Sequence, residues 1–211
     1  SGAAGSGIDG MIEIERDAGL LVLRLNRQDK ANSLTKAMLE DLDAALSGDP
    51  PAAVILTGAG KVFSAGADLD EAQAGLATDA VWERLSARIA ALPCLTIAAL
   101  NGTLAGGAMG MVLACDLRLA VPGAKFFYPV MKLGFLPQPS DPARLVALVG
   151  PARAKLILMG GAKIAADEAL AWGLIDRIVE PQGLLDAARA LAADTLAAKP
   201  GHAAAIKRLI G

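Results

Sequence analysis

The sequence of 211 residues predicts an α/β fold with a largely parallel sheet and a mostly helical C-terminal region. Short, fully apolar segments at residues 53–57 and 95–99 are typical of strands buried on both faces. Segments with helical periodicity alternate with these strands, and this alternation favours parallel pairing. From Pro142 onward the pattern is mainly helical.

The individual elements follow from local signals. The predicted strands span residues 11–16, 20–25, 53–57, 95–99, 116–120 and 174–179. Thr35 is a predicted N-cap for a helix over residues 36–46. A second helical stretch reaches Leu92 with an interruption near residues 75–79, and Pro93 ends it. A third helix is predicted from about Gly106, after a glycine-rich turn.

Composition and charge limit the class of protein. With 54% hydrophobic and 20% charged residues, the sequence favours one globular domain over residues 11–211, and residues 1–10 read as a leader or cloning scar. The net charge of −2, without a basic stripe and interleaved aromatics, argues against nucleic acid as a partner. The apolar run at residues 95–115 is long enough to suggest a membrane span. Because Asn101-Gly102 and three further glycines break this run, a strand, turn and helix is the preferred interpretation, with no membrane partner.

The cysteines and the histidine argue against metal and thiol chemistry in this sequence. Cys94 and Cys115 lie in apolar surroundings without CxxC spacing, which predicts two reduced, buried thiols in a cytoplasmic protein. A nucleophile or a redox pair is the alternative interpretation. Since His202 is the single histidine, a histidine-based metal site is excluded, and we expect no metal.

Two glycine-containing turns are the features that point to chemistry. Residues 63–69 (FSAGADL) and residues 101–107 (NGTLAGG) each follow a buried strand and precede a helix. Unpaired backbone N–H groups at a helix start, reinforced by the helix dipole, suit the binding of an oxyanion. Two such turns on neighbouring strands can each direct one donor at the same carbonyl oxygen. Tight packing turns in an α/β protein are the alternative explanation of the same spacing.

At this point the sequence resembles the crotonase (enoyl-CoA hydratase/isomerase) superfamily. The resemblance is carried, in order, by Asn26-Arg27, Asn32-Ser33-Leu34, the turn at residues 63–69, residues 97–102 with Gly106-Gly107, Cys115-Asp116, Leu133-Gly134 with Pro137, Arg144-Leu145 and residues 166–174. It covers nearly everything after residue 10. It implies the ββα spiral core of the ClpP/crotonase fold, an acyl-CoA substrate and no permanently bound cofactor, with coenzyme A entering as part of the thioester.

The resemblance also implies a binding site, residue by residue. The backbone amides of Ala67 and Gly107 match the positions that bind the thioester oxygen and stabilise an enolate. The further positions expected at the CoA or substrate site are Asp29, Lys30, Ala31, Ala65, Gly66, Asp68, Leu69, Gly106, Gly110, Pro129 and Val130. For Asp68 we favour a structural role, in orienting the turn or capping the next helix.

This sequence departs from the hydratase pattern at two positions. Hydratases of the family use two glutamates, and the matching positions here are Gly110 and Val130. Without these carboxylates no base activates water and no acid protonates the α-carbon. Ordinary enoyl-CoA hydratase activity is therefore not expected.

Three polar residues are candidates for acid, base or polar roles. Gln138 lies where isomerases of the family carry a single acid, and an amide does not shuttle protons as a carboxylate does. Asp141 follows three positions later, and because it precedes Pro142 we favour an N-cap over a catalytic role. Tyr128 is a further candidate acid, with packing beside Pro129 as the preferred interpretation.

Two functions stay open. The first is an enzyme that stabilises a CoA-thioester enolate, with isomerisation, decarboxylation and thioester hydrolysis as candidate reactions. The second is a non-catalytic acyl-CoA-binding protein of the same fold. The resemblance implies a homo-oligomer, a trimer or dimer of trimers. Relatives usually continue with further helices past the segment that matches residues 199–211, so we expect either a more open site or a different assembly.

Overall fold

The computed structural model describes residues 3–7 and 9–211. Its larger sheet has seven strands in the spatial order β1-β2-β3-β4-β6-β8-β11. Their bounds are Ala3–Ser6 (β1), Ile12–Asp17 (β2), Leu20–Leu25 (β3), Ala53–Gly58 (β4), Leu95–Leu100 (β6), Leu117–Ala120 (β8) and Arg177–Ile178 (β11). Strands β1 to β3 pair antiparallel, and the pairs from β3 through β11 are parallel. The predicted α/β class and parallel core are confirmed.

A second, four-stranded sheet stands beside the first in the order β10-β9-β7-β5. It comprises Val62–Ser64 (β5), Thr103–Ala105 (β7), Lys125–Phe127 (β9) and Ile164–Ala165 (β10). Strands β5, β7 and β9 pair in parallel. These strands were not among the sequence predictions, because runs of two or three residues are too short to show an alternating pattern. They matter for function, since β5 and β7 lead directly into the two glycine turns.

Ten α-helices complete the described part of the chain. They are Lys36–Ala45 (α1), Leu69–Gln73 (α2), Val81–Ala91 (α3), Met109–Leu113 (α4), Val130–Leu133 (α5), Asp141–Val149 (α6), Pro151–Leu158 (α7), Ala166–Trp172 (α8), Leu184–Ala197 (α9) and His202–Ile210 (α10). Thr35 caps α1 as predicted, its side chain accepting a hydrogen bond from the Met38 amide. The expected interruption near residues 75–79 is a 3₁₀ turn at Leu76–Thr78 between α2 and α3.

The N-terminal residues differ from the sequence prediction in one respect. No strand is predicted within residues 1–10, yet Ala3–Ser6 adds an antiparallel edge strand to β2. Because a strand pairs through its backbone, the small and polar composition of this segment did not reveal it. The interpretation of residues 1–10 as a leader stays a prediction; residues 1, 2 and 8 lie outside the described part of the chain.

The hydrophobic core runs between the larger sheet and the helices. Strands β3, β4 and β6 are almost entirely buried, which explains their continuous apolar sequences. Cys94 and Cys115 are both buried and unbonded to each other, as the sequence predicts. Among the described residues, no helix has the length and apolarity needed to cross a membrane.

Candidate active site

The two glycine turns pack against each other backbone to backbone. Gly66 and Gly106 both have positive φ angles, 98° and 62°, which favour glycine over residues with a side chain. A Cβ atom on Gly66 would lie 3.1 Å from the carbonyl oxygen of Ala105 and 3.5 Å from the Cα of Gly106. A side chain at Gly66 would push the turns apart, whereas a Cβ atom on Gly106 would stand at an ordinary 3.6 Å from the Cα of Gly66. Glycine is therefore required at position 66 for close approach as well as for conformation, and at position 106 for conformation.

Two asparagine side chains, one buried and one half-buried, hold the first turn in place. Asn32 is buried with φ of 51°, and its amide nitrogen donates to the carbonyl oxygens of Ala59 (2.9 Å) and Val62 (2.8 Å). Asn101 donates to the Val62 carbonyl as well, over 3.1 Å. Ser64 Oγ donates to the Asn32 carbonyl and accepts from the Gly66 amide. Asn32, Ser64 and Asn101 thus hold β5 and the turn after it in place through hydrogen bonds between their side chains and backbone groups.

A cavity of about 140 Å³ opens where the two turns meet. Its lining is mostly apolar and comprises Ala65, Gly66, Ala67, Leu69, Ala72, Ala77, Trp82, Gly106, Gly107, Tyr128, Pro129, Val130, Leu133, Phe135, Leu136 and Gln138. The structure therefore brings together, around one cavity, both predicted turns and the predicted positions at residues 128–130 and 138.

The amides of Ala67 and Gly107 are both at this cavity. Within the described part of the chain, no carbonyl accepts a backbone hydrogen bond from either of them. Gly107 lies in the 3₁₀ turn Gly106–Ala108 that leads into α4, where the first N–H groups have no intrahelical acceptor. Ala67 lies between Gly66, whose carbonyl accepts from Leu34, and Asp68, whose amide donates to Leu34. Each turn thus presents one unsatisfied donor next to the same cavity.

Tyr128 and Asp141 form a buried pair at the wall of the cavity. The Tyr128 hydroxyl donates to Oδ2 of Asp141 over 2.8 Å and accepts from the backbone amide of Gln138 over 3.2 Å. Asp141 is 1% exposed and does not line the cavity, so it reaches the site only through Tyr128. The Gln138 side chain donates a hydrogen bond to the Ala77 carbonyl. This bond holds the loop that carries Gln138 against the 3₁₀ turn at Leu76–Thr78.

The favoured capping role of Asp141 is wrong. Helix α6 begins at Asp141, its N-cap is Ser140, and neither residue makes a side-chain capping bond. The sequence signal of Asp before Pro142 is overridden by the tertiary hydrogen bond from Tyr128, which turns the carboxylate inward. The packing role favoured for Tyr128 is incomplete for the same reason, because its hydroxyl has two specific partners.

The surroundings of Asp141 shift its equilibrium toward the protonated form, compared with an exposed carboxyl group. Burial raises the pKa of Asp141 to about 6, against the lowering effects of the Tyr128 hydrogen bond and of Arg144, while Glu83 adds to the increase. Oδ1 of Asp141 has no hydrogen-bond partner among the described residues. It lies 2.7 Å from the point at which a Cβ atom would stand on Gly110. The carboxyl group thus occupies the space of a side chain at position 110.

The segment Asp29, Lys30 and Ala31 is joined to the first turn. Lys30 ends a 3₁₀ turn over Gln28–Lys30, and the Ala31 carbonyl accepts a hydrogen bond from the Ala65 amide over 3.0 Å. Ala31 also lines a second, open cavity of about 390 Å³, together with Gln28, Asn32, Ala59, Gly60, Lys61 and Val62. Lys61 is a cation in the lining of this cavity, and no sequence motif marks it. Asp29 and Lys30 themselves are exposed.

Asp68 has the structural role expected of it. Its Oδ1 accepts from the amides of Asp70 and Glu71 and so caps α2. Its Oδ2 accepts from Arg27 over 2.7 Å. These bonds, with that from Arg27 first in effect, hold the pKa of Asp68 below its usual value. The cap fixes the helix that carries Leu69 and Ala72 into the cavity wall.

Comparison with known proteins decides the family. The family model for enoyl-CoA hydratase/isomerase matches residues 15–210. A probable enoyl-CoA hydratase, EchA17 of Mycobacterium tuberculosis, is 36% identical over 201 residues, covering 91% of this chain and 77% of that protein. The chain belongs to the enoyl-CoA hydratase/isomerase family. A short-chain-enoyl-CoA hydratase of Clostridium acetobutylicum is 34% identical, covering 85% of this chain and 72% of that protein.

Solved structures agree with this membership of the enoyl-CoA hydratase/isomerase family. An enoyl-CoA hydratase from Bacillus anthracis superposes with a TM-score of 0.87 at 32% identity, covering 95% of this chain and 82% of that one. A protein described as an enoyl-CoA hydratase/carnithine racemase from Magnetospirillum magneticum gives a TM-score of 0.86 at 30% identity, covering 95% and 79%. The predicted crotonase-like fold is confirmed.

Sequence reasoning missed the apolar wall of this family member's cavity. Trp82 on α3 packs beside Gly107, with its ring 3.3 Å from where a Cβ atom on that glycine would stand. Leu133, Phe135 and Leu136 close another side, and Leu136 is 88% exposed. A tryptophan in an amphipathic helix is ordinarily predicted to lie in the hydrophobic core, so no local signal marked Trp82 as a residue of the cavity. The exposed apolar run after Gly134 was the one available clue.

Proposed function

We propose that this family member binds an acyl-CoA thioester and stabilises its enolate through the backbone amides of Ala67 and Gly107. One observation carries the proposal: two turns from neighbouring strands present unsatisfied amides beside one cavity. Backbone donors held in advance at a site of developing negative charge are worth about 3 kcal/mol each in oxyanion holes. A thioester α-carbon becomes acidic, or loses a carboxylate as CO₂, only when hydrogen-bond donors stabilise the negative charge that develops on the carbonyl oxygen.

The coenzyme A portion would extend from this cavity along Ala31 and Ala65. The hydrogen bond between these two residues joins the segment Asp29, Lys30 and Ala31 to the first turn. Lys61 lines the second cavity, and Lys30 precedes Ala31 in the chain, so both can supply positive charge for phosphate groups. This path agrees with the binding positions that the resemblance implies.

The site supports a reaction other than hydration. Hydration needs a base to activate water and an acid to protonate the α-carbon. The described lining of the cavity contains no carboxylate, histidine or lysine, and Val130 stands at one expected glutamate position. We therefore propose an isomerase, decarboxylase or thioester hydrolase type of activity rather than a standard hydratase.

A non-catalytic acyl-CoA-binding protein is the second candidate function. The absence of a charged side chain from the described cavity lining favours it, because binding needs only the amides and the apolar wall. In both cases we propose a cytoplasmic homo-oligomer. The strongly exposed Leu209 and Ile210 on α10 support burial against another copy. Sedimentation velocity of the purified protein checks the assembly.

The enolate proposal is tested with the thioester carbonyl itself. Acyl-CoA analogues labelled with ¹³C at the carbonyl are bound, and the C=O stretching band is compared with that in water. Two donors on the oxygen shift this band to lower frequency. Binding with an unshifted carbonyl band, or no binding of any acyl-CoA in a panel of saturated, enoyl and malonyl thioesters, contradicts the proposal. A shifted band with no turnover across the panel favours the second candidate function.

A further inference from the structure

The hydrogen bonds of Tyr128 define what its hydroxyl is able to do. The oxygen accepts from the Gln138 amide, and the hydrogen is donated to Oδ2 of Asp141. A phenol oxygen has one hydrogen to donate and two lone pairs to accept with. When Oδ2 of Asp141 carries a proton, Asp141 becomes the donor in this pair. Both lone pairs of Tyr128 are then filled, and its own hydrogen is free to turn toward the cavity that the residue lines.

The groups around Asp141 make this reversal available near neutral pH. Charged side chains reach it from two helices: Glu83 on α3 and Arg144 on α6. Glu83 is engaged with Ser140, and Arg144 donates to Ser86, so neither is hydrogen bonded to the Asp141 carboxylate. From α4, Gly110 places no side chain against Oδ1. A buried carboxyl group without a cationic hydrogen-bond partner keeps its proton to a higher pH than an exposed carboxyl group does.

We infer that Tyr128 is the proton donor of this site, that Asp141 is a positioning residue acting through it, and that the substrate is a CoA thioester bearing a carboxylate on its α-carbon. This inference rests on the proposed function. Asp141 would stand in for the carboxylate that the family pattern places at position 110. It fills the same space, entering from α6 instead of α4.

The reaction class follows from the direction in which the pair moves protons. The described lining of the cavity holds no carboxylate, histidine or lysine to take a proton from the α-carbon, and burial keeps the pKa of Tyr128 above its ordinary value, so a phenolate base is not available either. With Asp141 protonated, the pair gives a proton and does not remove one. An enolate must therefore arise without a base, and decarboxylation achieves this. The bond between the α-carbon and the carboxylate breaks, its electron pair enters the enolate held by Ala67 and Gly107, and CO₂ leaves.

The proton balance closes the cycle. The enolate α-carbon takes the Tyr128 hydrogen, Tyr128 takes the proton of Asp141, and Asp141 is protonated again from solvent. The net change is one carboxylate and one proton converted to a C–H bond and CO₂. The apolar wall assists, because it places no cation beside the substrate carboxylate in the described lining and so favours loss of charge as neutral CO₂.

The experiment uses the full chain with malonyl-CoA and methylmalonyl-CoA in D₂O. We expect release of CO₂ and formation of the decarboxylated acyl-CoA with one deuterium on the α-carbon. Tyr128→Phe should lower kcat by about 10²- to 10³-fold with KM within about twofold of wild type. Met131→Ala, an exposed neighbour on α5 outside the cavity lining, is the matched control and should keep wild-type kcat.

Asp141→Asn tests the positioning role through the pH profile. For wild type, kcat should fall about tenfold per pH unit above pH 6 because protonated Asp141 is required. The asparagine variant should show a flat profile from pH 5 to 8, below wild type at pH 5. A wild-type pH slope in this variant, or undiminished kcat in Tyr128→Phe, overturns the inference. If wild type binds both thioesters with a shifted carbonyl band but leaves them intact, the substrate class is wrong while the enolate proposal stands. If the band is unshifted, the proposed function fails as well.

Discussion

The side chain of Asp141 occupies the space in the protein interior into which a side chain at Gly110 would project. Oδ1 of Asp141 lies 2.7 Å from the point at which a Cβ atom would stand on Gly110, a separation that real Cβ atoms essentially never show. The two residues belong to different helices, α6 and α4, whose packing brings them together. A carboxylate at position 141 is therefore compatible with glycine at position 110 and with no larger residue. This coupling explains how a family member can lack a side chain at 110 without a cavity beside the active site.

The first prediction is that Gly110→Ala destabilises the fold by about 1–3 kcal/mol, the usual range for overpacking in a buried site. Alanine is the better helix former, so propensity alone would stabilise α4. The loss must come from the contact with Asp141, which the Tyr128 hydrogen bond keeps in place. Urea denaturation gives the free energy of unfolding. Gly123→Ala is the control: Gly123 is exposed, and no atom lies within 4 Å of its Cβ position, so a change within about 0.5 kcal/mol is expected.

A double-mutant cycle identifies the origin of that loss. In an Asp141→Ala background the methyl group at position 110 gains space, so Gly110→Ala should cost at least about 1 kcal/mol less than in wild type. Strictly additive effects would show that the two residues do not compete for the same volume.

The sequence predicted the larger sheet well and the site only in part. Strands β3, β4 and β6 are buried on both faces, and continuous apolar segments reveal such strands. The glycine turns were also predictable, because local sequence determines positive φ angles. The relation of Asp141 to Tyr128 and Gly110 was not, since it depends on how α6 packs on α4 and no local pattern records that. In this case the local signal of Asp before Pro pointed to capping, and the tertiary hydrogen bond prevailed.

The second prediction concerns stability and pH at Asp141. Its pKa is raised to about 6 in the folded protein from 3.8, the ordinary value. Between these values the folded state retains a proton that the unfolded state releases, so stability falls as pH rises from 4 to 6 and is level above that. The span of two pKa units corresponds to a loss on the order of 2–3 kcal/mol. In Asp141→Asn this loss should be absent. Chemical denaturation at pH 4.5, 6 and 8 checks it, and an equal pH dependence in both proteins would contradict the raised pKa.

The third prediction is that Asp68→Ala costs about 1–2 kcal/mol and weakens acyl-CoA binding together. The stability loss is that of an N-cap, increased by the lost ion pair with Arg27. Binding should suffer because α2 carries Leu69 and Ala72 into the cavity wall. Asp70→Ala removes an exposed carboxylate from the same helix without touching the cap, and should leave both properties near wild type. Calorimetric binding of an acyl-CoA alongside denaturation makes the test; normal binding in Asp68→Ala would separate α2 from the ligand site.

The fourth prediction is that both thiols are inert in the folded protein. Burial raises the pKa of Cys94 to about 11 and that of Cys115 to about 12. At pH 8 the reactive thiolate is then only about one part in a thousand for Cys94 and less for Cys115. Alkylation should follow the urea unfolding transition measured by circular dichroism, with both cysteines labelled in the same range. Cys94 offers the sharper test, because Lys207 on α10 donates to its carbonyl oxygen. If Cys94 is labelled well below the unfolding transition while Cys115 is not, α10 opens separately from the core.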